Sequence, residues 1–148
     1  MSKTDVHGLL KELLGVIADA RFVVNSVDFD ECDMNNVTFD ETDPDSAFLY
    51  DKECDIIRHL SDAVNTYERY LGTAVTQTGV LRYNKDIDRY CLNNYNFHCG
   101  DTLEVLIKDD FTETSKWVST SFEMDSEGWY LTKCNRIKIE GLQARIRW

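Results

Sequence analysis

Hydrophobic positions recur at helical spacing near the start of the chain. Apolar side chains three or four residues apart form one stripe between residues 5 and 24: Val6, Leu9, Leu10, Leu13, Ile17, Ala20 and Val24. This spacing places them on one face of a helix. Thr4 fits the N-cap, and Asp5 falls in the first turn, where negative charge is favoured. The pattern predicts a first helix over about residues 5–24.

A second helical stripe follows Asp43-Pro44, a pair typical of an N-cap with proline at the first helical position. Its members are Tyr50, Cys54, Ile57, Leu60, Val64, Tyr67 and Leu71. Gly72 stands where a helix-ending glycine is expected. We therefore predict a second helix over about 44–71, long enough to pack antiparallel on the first.

The period changes to two between these helices. Val27 and Phe29 alternate with Asp28 and Asp30, and Val37 and Phe39 alternate with Thr38 and Asp40, around a turn-forming Asn35-Asn36 pair. Two structures fit this pattern: a short hairpin and an irregular acidic loop. In the hairpin, the four apolar side chains would cover the core and the carboxylates would face outward.

Short β-type segments fill the second half of the chain. They are rich in β-branched and aromatic residues and are separated by turn-forming residues: 79–83, 89–92, 103–107, 116–124, 129–131 and 142–148. With no helical pattern between them, they predict a small antiparallel β barrel, SH3-like or partly open. The expected fold class is α+β, with an acidic helical region at 1–75 and a β-barrel domain at 76–148.

Negative charge is concentrated in the first half. Of the formal net charge of −11, residues 1–75 hold sixteen acids against six cations, whereas residues 76–148 hold eleven against ten. The stretch 28–55, here called the acid band, contains eleven carboxylates and one cation, Lys52. A surface of this sign repels nucleic acid and anionic lipid headgroups. We therefore expect a basic protein as partner, with no direct nucleic-acid contact and no membrane contact.

Other sequence features indicate the cellular compartment and limit the kinds of chemistry that the protein could perform. Five cysteines include no Cys-x-x-Cys pair, and the chain begins without a signal-peptide pattern, so reduced thiols in the cytoplasm are expected. No apolar run approaches the roughly 18 residues of a membrane span. The glycines form no phosphate-binding loop. We predict no cofactor and no enzymatic activity.

Metal and thiol chemistry find weak support. Read as a calcium loop from Asp28, the acid band has Asp33 at the glycine position and Phe39 at the final glutamate position. His98 and Cys99 are neighbours, so on a strand they would point to opposite faces. A zinc site is conceivable, but its spacing matches no standard pattern; the residues would be Cys91, His98, Cys99 and Cys134.

A family resemblance covers roughly residues 79–147. It is carried by Gly79-Val-Leu-Arg-Tyr-Asn, Arg89-Tyr-Cys-Leu, His98-Cys-Gly-Asp-Thr-Leu-Glu-Val-Leu-Ile, Trp117, Glu123-Met-Asp with Gly128-Trp-Tyr-Leu, and Gly141-Leu-Gln-Ala-Arg-Ile. These segments resemble a domain of unknown function found as short β proteins in low-GC Gram-positive bacteria and their mobile elements. The resemblance implies no activity. It does imply a setting in which small phage and mobile-element proteins often inhibit host defences, and the acidic helical half departs from the short form.

The combined features predict a phage or mobile-element inhibitor in the bacterial cytoplasm, a monomer or dimer. Its acidic surface would imitate DNA and dock in the basic nucleic-acid groove of a host defence nuclease, as an anti-CRISPR protein does. The candidate contact residues are acidic and would act as long-range attractors and salt-bridge acceptors for Lys and Arg: Asp28, Asp30, Glu31, Asp33, Asp40, Glu41, Asp43 and Asp45. Phe29 and Phe39 are expected to anchor the contact if they are exposed.

Two rival functions remain open. In the first, the β half stacks single-stranded bases and the acidic half is autoinhibitory. Its rings would be Tyr83, Tyr90, Tyr95, Phe97, Trp117, Phe122, Trp129, Tyr130 and Trp148, and its cations Arg82, Arg89, Arg136, Arg145 and Arg147. In the second, the chain is a non-catalytic accessory or assembly protein of a mobile element that joins its partner through the apolar helical face.

Overall fold

A computed structural model describes residues 3–134 and 137–148 of the chain. Two helices are followed by antiparallel β-sheets, which gives the α+β class. The chain divides into two compact units, Met1–Gly72 and Thr73–Trp148, here called the helical unit and the β unit.

The helical unit consists of α1 (Val6–Ser26) and α2 (Pro44–Tyr70). The predicted N-cap of α1 is wrong by one residue. Asp5 caps the helix, because its Oδ1 accepts a hydrogen bond from the Gly8 backbone N–H at 2.7 Å. The predicted start of α2 is confirmed, with Asp43 as N-cap and proline in the first turn. Neither helix, within the described part of the chain, has the length and apolarity needed to cross a bilayer.

Two apolar clusters hold the helical unit together. In one, Ile17 and Ala20 of α1 pack against Val64 of α2. In the other, Met34 of the connecting loop packs with Cys54 and Ile57 of α2. Met34 is 2% exposed, so the loop contributes to the core as well as linking the helices.

The loop between the helices is irregular. The predicted pairing of 27–29 with 37–39 is absent from the described residues, where a single antiparallel bridge joins Phe29 to Met34. The chain reverses earlier than predicted, because Asp30 donates its backbone N–H to the Asp33 carbonyl at 3.2 Å. Asp28 and Glu31 adopt left-handed backbone angles, with φ of 50° and 83°. The alternative of an irregular acidic loop is therefore confirmed.

Within its described residues, 73–134 and 137–148, the β unit contains eight strands. They are β1 (Gln77–Val80), β2 (Arg82–Asn84), β3 (Arg89–Leu92), β4 (Tyr95–Asn96), β5 (Thr102–Lys108), β6 (Ser115–Asp125), β7 (Gly128–Leu131) and β8 (Gln143–Ile146). All of the pairings between these strands are antiparallel.

The predicted small barrel, SH3-like or partly open, is confirmed only as antiparallel β structure, because the sheets do not close. Over the described residues the strands form two open sheets, one ordered β1-β8-β5-β6-β7 and the other β2-β3-β4. The change of sheet occurs at Leu81, which divides the single strand predicted over 79–83. Its N–H donates to the Leu142 carbonyl and its own carbonyl accepts from Gly141 N–H, so the chain leaves β8 and then pairs with β3.

One apolar core lies between the two sheets of the β unit. Its fully buried side chains come from strands of both sheets and from two positions beside strands, Leu81 and Phe97; the others are Leu92, Val105, Phe122, Leu131, Ala144 and Ile146. Alternate residues of β5 and β8 point into this core, as their burial pattern shows. This arrangement leaves the tips of the β2–β3 and β6–β7 hairpins to form surface features.

Candidate partner-binding surface

The acid band occupies the loop between the helices and the first turns of α2. Every acidic residue predicted as a contact is exposed: Asp28, Asp30, Glu31, Asp33, Asp40, Glu41, Asp43 and Asp45. None of these side chains forms an ion pair within residues 3–134 and 137–148. The segment therefore presents unneutralised negative charge to solvent.

Asp30 organises the first of two turns in this band. Its Oδ1 accepts from the Asp33 backbone N–H at 3.0 Å and from that of Cys32 at 3.4 Å. Its Oδ2 accepts from the Asn35 side-chain amide at 3.1 Å. These hydrogen bonds, that from Asn35 foremost, lower the pKa of the Asp30 carboxyl. Asp30 thus stays ionised while it also shapes the turn.

A second turn brings the band to the start of α2. Asp40 Oδ1 accepts from the Thr42 hydroxyl at 2.7 Å and from the Thr42 backbone N–H at 2.9 Å. Both bonds lower the pKa of the Asp40 carboxyl, the hydroxyl bond first. Asp43 Oδ1 accepts from the Asp45 N–H at 3.1 Å. The carboxylates of Asp40 and Asp43 therefore stabilise the local backbone in addition to carrying negative charge.

Tyr50 of α2 fixes both turns to the same place on the helix. Its hydroxyl oxygen accepts from the Met34 backbone N–H at 3.1 Å, just after the first turn. Its ring stacks on the Phe39 ring, just before the second turn, with centroids 4.1 Å apart. One side chain thus holds the two acidic turns against one helix. The band is ordered by contacts within the chain.

The two predicted aromatic anchors differ in exposure. Phe29 is half-buried and packs against the cluster around Met34, Cys54 and Ile57, so its ring serves the core. Phe39 is 37% exposed beside Tyr50. Only Phe39 of this pair offers substantial ring surface to a partner.

The only cation in the band is already paired. Lys52 Nζ lies 3.0 Å from an Asp51 carboxylate oxygen and 3.8 Å from Asp55, and this pairing raises the pKa of Lys52. Just beyond the band, Arg58 pairs with Asp55 at 2.8 Å. These pairs neutralise part of α2 and leave the acids of the loop uncompensated.

Comparison with known proteins concerns the other half of the chain. Residues 79–146 match the family model of a domain of unknown function, DUF5348. The predicted resemblance to a domain of unknown function is thereby confirmed over these residues, which run from within β1 to the end of β8. A search of curated proteins found no match to the chain, and a search of solved structures found none either. The DUF5348 match carries no activity and does not include the acid band.

The described residues show no arrangement that supports metal binding or thiol catalysis. Within residues 3–134 and 137–148, no three His, Cys, Asp or Glu side chains are grouped closely enough to hold a metal ion. His98 Nδ1 lies 3.4 Å from the Asp101 carboxylate, and Cys99 is exposed. Burial raises the pKa of the Cys134 thiol, which disfavours the reactive thiolate.

Sequence reasoning missed the two side chains that organise the acid band. Tyr50 was assigned only to the apolar stripe of α2, and Met34 was not assigned at all. A tyrosine at the edge of such a stripe can combine an apolar ring with a hydrogen-bonding hydroxyl. The one large apolar residue between Cys32 and Val37 was the available signal for Met34.

Proposed function

We propose that this protein is a non-enzymatic inhibitor whose acid band occupies the basic nucleic-acid groove of a bacterial defence nuclease. In this proposal the carboxylates imitate a DNA backbone, as in an anti-CRISPR protein. The observation that carries it is an ordered loop and first turn of α2 that together hold eight exposed acidic side chains, with no ion pair among them in the described residues. The expected phage or mobile-element setting comes from the family resemblance, and the expected cytoplasmic location comes from the cysteines and the start of the sequence.

The physical argument rests on charge and order together. Proteins that bind DNA line their grooves with Lys and Arg to match a closely spaced series of phosphates. Like charges held close together repel and lower stability unless a cationic partner offsets them. Because Tyr50 and the two turns already fix the loop, binding loses little additional conformational entropy.

The test must distinguish an effect of lost negative charge on binding from an effect of lost folding. Glu31, Asp33 and Asp45 are among the acids of the band whose carboxylates accept no hydrogen bond in the described structure. The triple variant Glu31→Gln, Asp33→Asn, Asp45→Asn removes three charges. It leaves intact the turn-forming carboxylates of Asp30 and Asp40 and the helix N-cap Asp43. The matched control, Glu12→Gln, Asp19→Asn, Asp62→Asn, removes the same charge from exposed positions outside the band.

The measurement is capture of partners from a bacterial lysate at low and high salt, followed by competition. The wild type and the control should capture the same basic protein at low salt and release it when duplex DNA is added. The band variant should lose this capture. If the band variant captures the protein as well as the control does, or if DNA does not displace it, the proposed function is wrong.

A second candidate function is supported by the apolar surface of α1. Several large apolar side chains of this helix are exposed in the structure: Val6, Leu9, Leu13, Leu14, Val16, Phe22 and Val23. This surface favours the accessory or assembly protein, joined to a second copy through helix packing. Light scattering tests this candidate by measuring the mass of the protein in solution. A dimeric wild type that becomes a monomer in the double variant Leu9→Glu, Val16→Glu would favour the assembly function.

The nucleic-acid-binding rival has fewer free groups than the sequence suggested. Arg145 and Arg147 both pair with Glu104, and Arg82 pairs with Glu140. Most of the proposed stacking rings pack in or against the core of the β unit, and Arg136 lies outside the described residues. A gel-shift with residues 73–148 and single-stranded oligonucleotides tests this rival directly.

A further inference from the structure

A cleft of about 460 Å³ lies in the β unit, between the β2–β3 turn and the tip of the β6–β7 hairpin. Three aromatic rings line it: Tyr83, Tyr90 and Trp129. Tyr83 and Tyr90 face each other across β2 and β3, with ring centroids 5.2 Å apart. The residues that line the cleft lie within the segment matched by DUF5348 and include none from the acid band.

Hydrogen bonds hold these rings in place. The Tyr83 hydroxyl donates to the Asp88 carboxylate, and the Trp129 indole N–H donates to the Asp88 carbonyl at 2.9 Å. Asp88 adopts a left-handed backbone, with φ of 52°, at the end of the β2–β3 turn. One turn residue thus braces a ring from each of two hairpins.

The buried Phe122 ring supports the other side of the arrangement. Tyr90 stacks on it with centroids 5.7 Å apart, and Trp129 meets it edge-on at 6.1 Å. Tyr83, by contrast, is 38% exposed. The rings are therefore anchored to the core while ring surface remains accessible from the cleft.

The rim of the cleft is acidic. Asp88, Asp125 and Glu127 line it and are exposed, and no Lys, Arg or His is present among its lining residues in the described structure. Aromatic faces attract cations through their quadrupole, and nearby carboxylates add to this attraction. The cleft has the composition of a site for an organic cation.

We propose that this cleft binds an arginine side chain presented by a partner protein. A guanidinium group is planar, so it can stack on an aromatic ring, and its forked donors suit carboxylates placed beside the ring. A lysine ammonium is compact and more strongly hydrated, and it gains less from such a site. This site is additional to the proposed inhibitory surface and does not depend on it.

The first experiment titrates the full chain with Nα-acetyl-arginine amide and follows the tryptophan indole N–H signals by NMR. The Trp129 signal, assigned with Trp129→Phe, should shift saturably. The citrulline analogue has nearly the same shape without the charge, so it should bind at least tenfold more weakly. Equal shifts with arginine and citrulline, or no shift at Trp129, would overturn the proposal.

Two further ligands test the choice of arginine. Nα-acetyl-lysine amide should bind more weakly than the arginine compound, because it lacks the planar fork. Tetramethylammonium should also bind more weakly, because it cannot donate hydrogen bonds to the rim. Tighter binding of either compound would overturn the arginine assignment.

Variants connect the signal to the cleft. Glu127→Gln removes one rim charge at an exposed turn and should weaken arginine binding several-fold. Glu113→Gln makes the same change in the loop between β5 and β6, away from the cleft, and should have no effect. Tyr83→Leu should abolish binding; if that protein fails to fold, the comparison of Glu127→Gln with Glu113→Gln still decides, because equal affinities there would refute the site.

Discussion

Tyr50 shows how one side chain can stabilise a charged loop. Its hydroxyl is the acceptor for the Met34 N–H, and its ring stacks on Phe39. Tyr50→Phe keeps the ring and removes the hydroxyl, which also interacts with the Cys54 side chain. A partly buried N–H without a partner costs about 1 to 2 kcal/mol, so we expect a loss of that size in the free energy of unfolding of the helical unit, measured by far-UV circular dichroism in urea.

The control for this prediction is Tyr67→Phe, which removes the same atom from a tyrosine elsewhere on α2. Tyr67 packs against the Ile17, Ala20 and Val64 cluster. A comparable loss of stability in both variants would mean that the Tyr50 hydroxyl has no special role in holding the loop.

Glu104 has an equally central place in the β unit. It accepts from Arg145 at 2.9 Å and from Arg147 at 2.6 Å, and the Arg145 guanidinium lies 4.2 Å from the Trp117 ring centroid. Glu104→Gln removes the negative partner of two largely buried cations. Breaking such a network should lower the free energy of unfolding of the β unit by about 3 kcal/mol. Tryptophan fluorescence during urea unfolding measures this loss.

The same network predicts a pH dependence. Burial by itself would raise the pKa of Glu104, but the hydrogen bonds from Arg147 and Arg145 outweigh it and lower the pKa below the ordinary 4.5. A carboxyl with a lowered folded-state pKa contributes stability above its unfolded pKa, and this contribution is lost as the pH falls through the folded value. Wild type should therefore lose more stability than Glu104→Gln between neutral pH and pH values below 4.5. Parallel stability curves for the two proteins would contradict this.

At the scale of elements, two acidic residues at the start of α2 stabilise the helix in different ways. Asp43 is the N-cap, and Asp45 lies in the first turn with no side-chain bond in the described structure. Asp43→Ala should destabilise the helical unit by about 1 kcal/mol. Asp45→Ala should cost only about 0.3 kcal/mol, because it loses the interaction with the helix dipole alone. Helical circular dichroism in urea compares them, and equal losses would refute the distinction.

The elements that sequence periodicity predicts are those with one clear apolar face. The 3.6-residue stripes placed both helices within two residues of their observed ends, and most of the strands were placed by short β-type runs. Periodicity does not determine which strand pairs with which. Leu81 illustrates the limit: it is buried inside a β-type run, yet its hydrogen bonds go to the 141–142 turn and divide the run between two sheets.

The loop was harder to predict because side-chain hydrogen bonds compete with strand pairing there. Alternation of Val27 and Phe29 with acids suits a strand, but Asp30 bonds the backbone of Cys32 and Asp33 and turns the chain early. The positions of the acids could be read from the sequence. Their attachment to Tyr50, and the aromatic cleft of the β unit, required contacts between residues far apart in the chain.

At the scale of the whole molecule, the DUF5348 match is shorter than the folded β unit. The unit begins at Thr73, whose carbonyl accepts from Arg147 at 2.6 Å, and it includes Trp148. Trp148 packs edge-on against Tyr95 and Phe97 and donates to the Thr102 carbonyl at 2.8 Å. The structural unit therefore extends beyond both ends of the matched segment.

A fragment comparison tests this extent. We expect residues 73–148 to fold, because the fragment contains a complete apolar core. Residues 79–146 should be less stable by about 2 kcal/mol or more, since Trp148 packing and the Arg147 bonds are lost. Residues 73–146 isolate the contribution of the last two residues. Urea unfolding followed by tryptophan fluorescence measures all three, and equal midpoints for the longest and shortest fragments would show that the match alone defines the folding unit.

The left-handed backbone at Glu31 has an evolutionary consequence. Glycine or asparagine occupies such a conformation more readily than glutamate, by about 1 kcal/mol or more. A single substitution at this position could relax the turn, but it would also remove a carboxylate. If binding requires that carboxylate, selection for activity and selection for a more stable fold oppose each other at residue 31, and laboratory evolution for thermostability alone should replace it early.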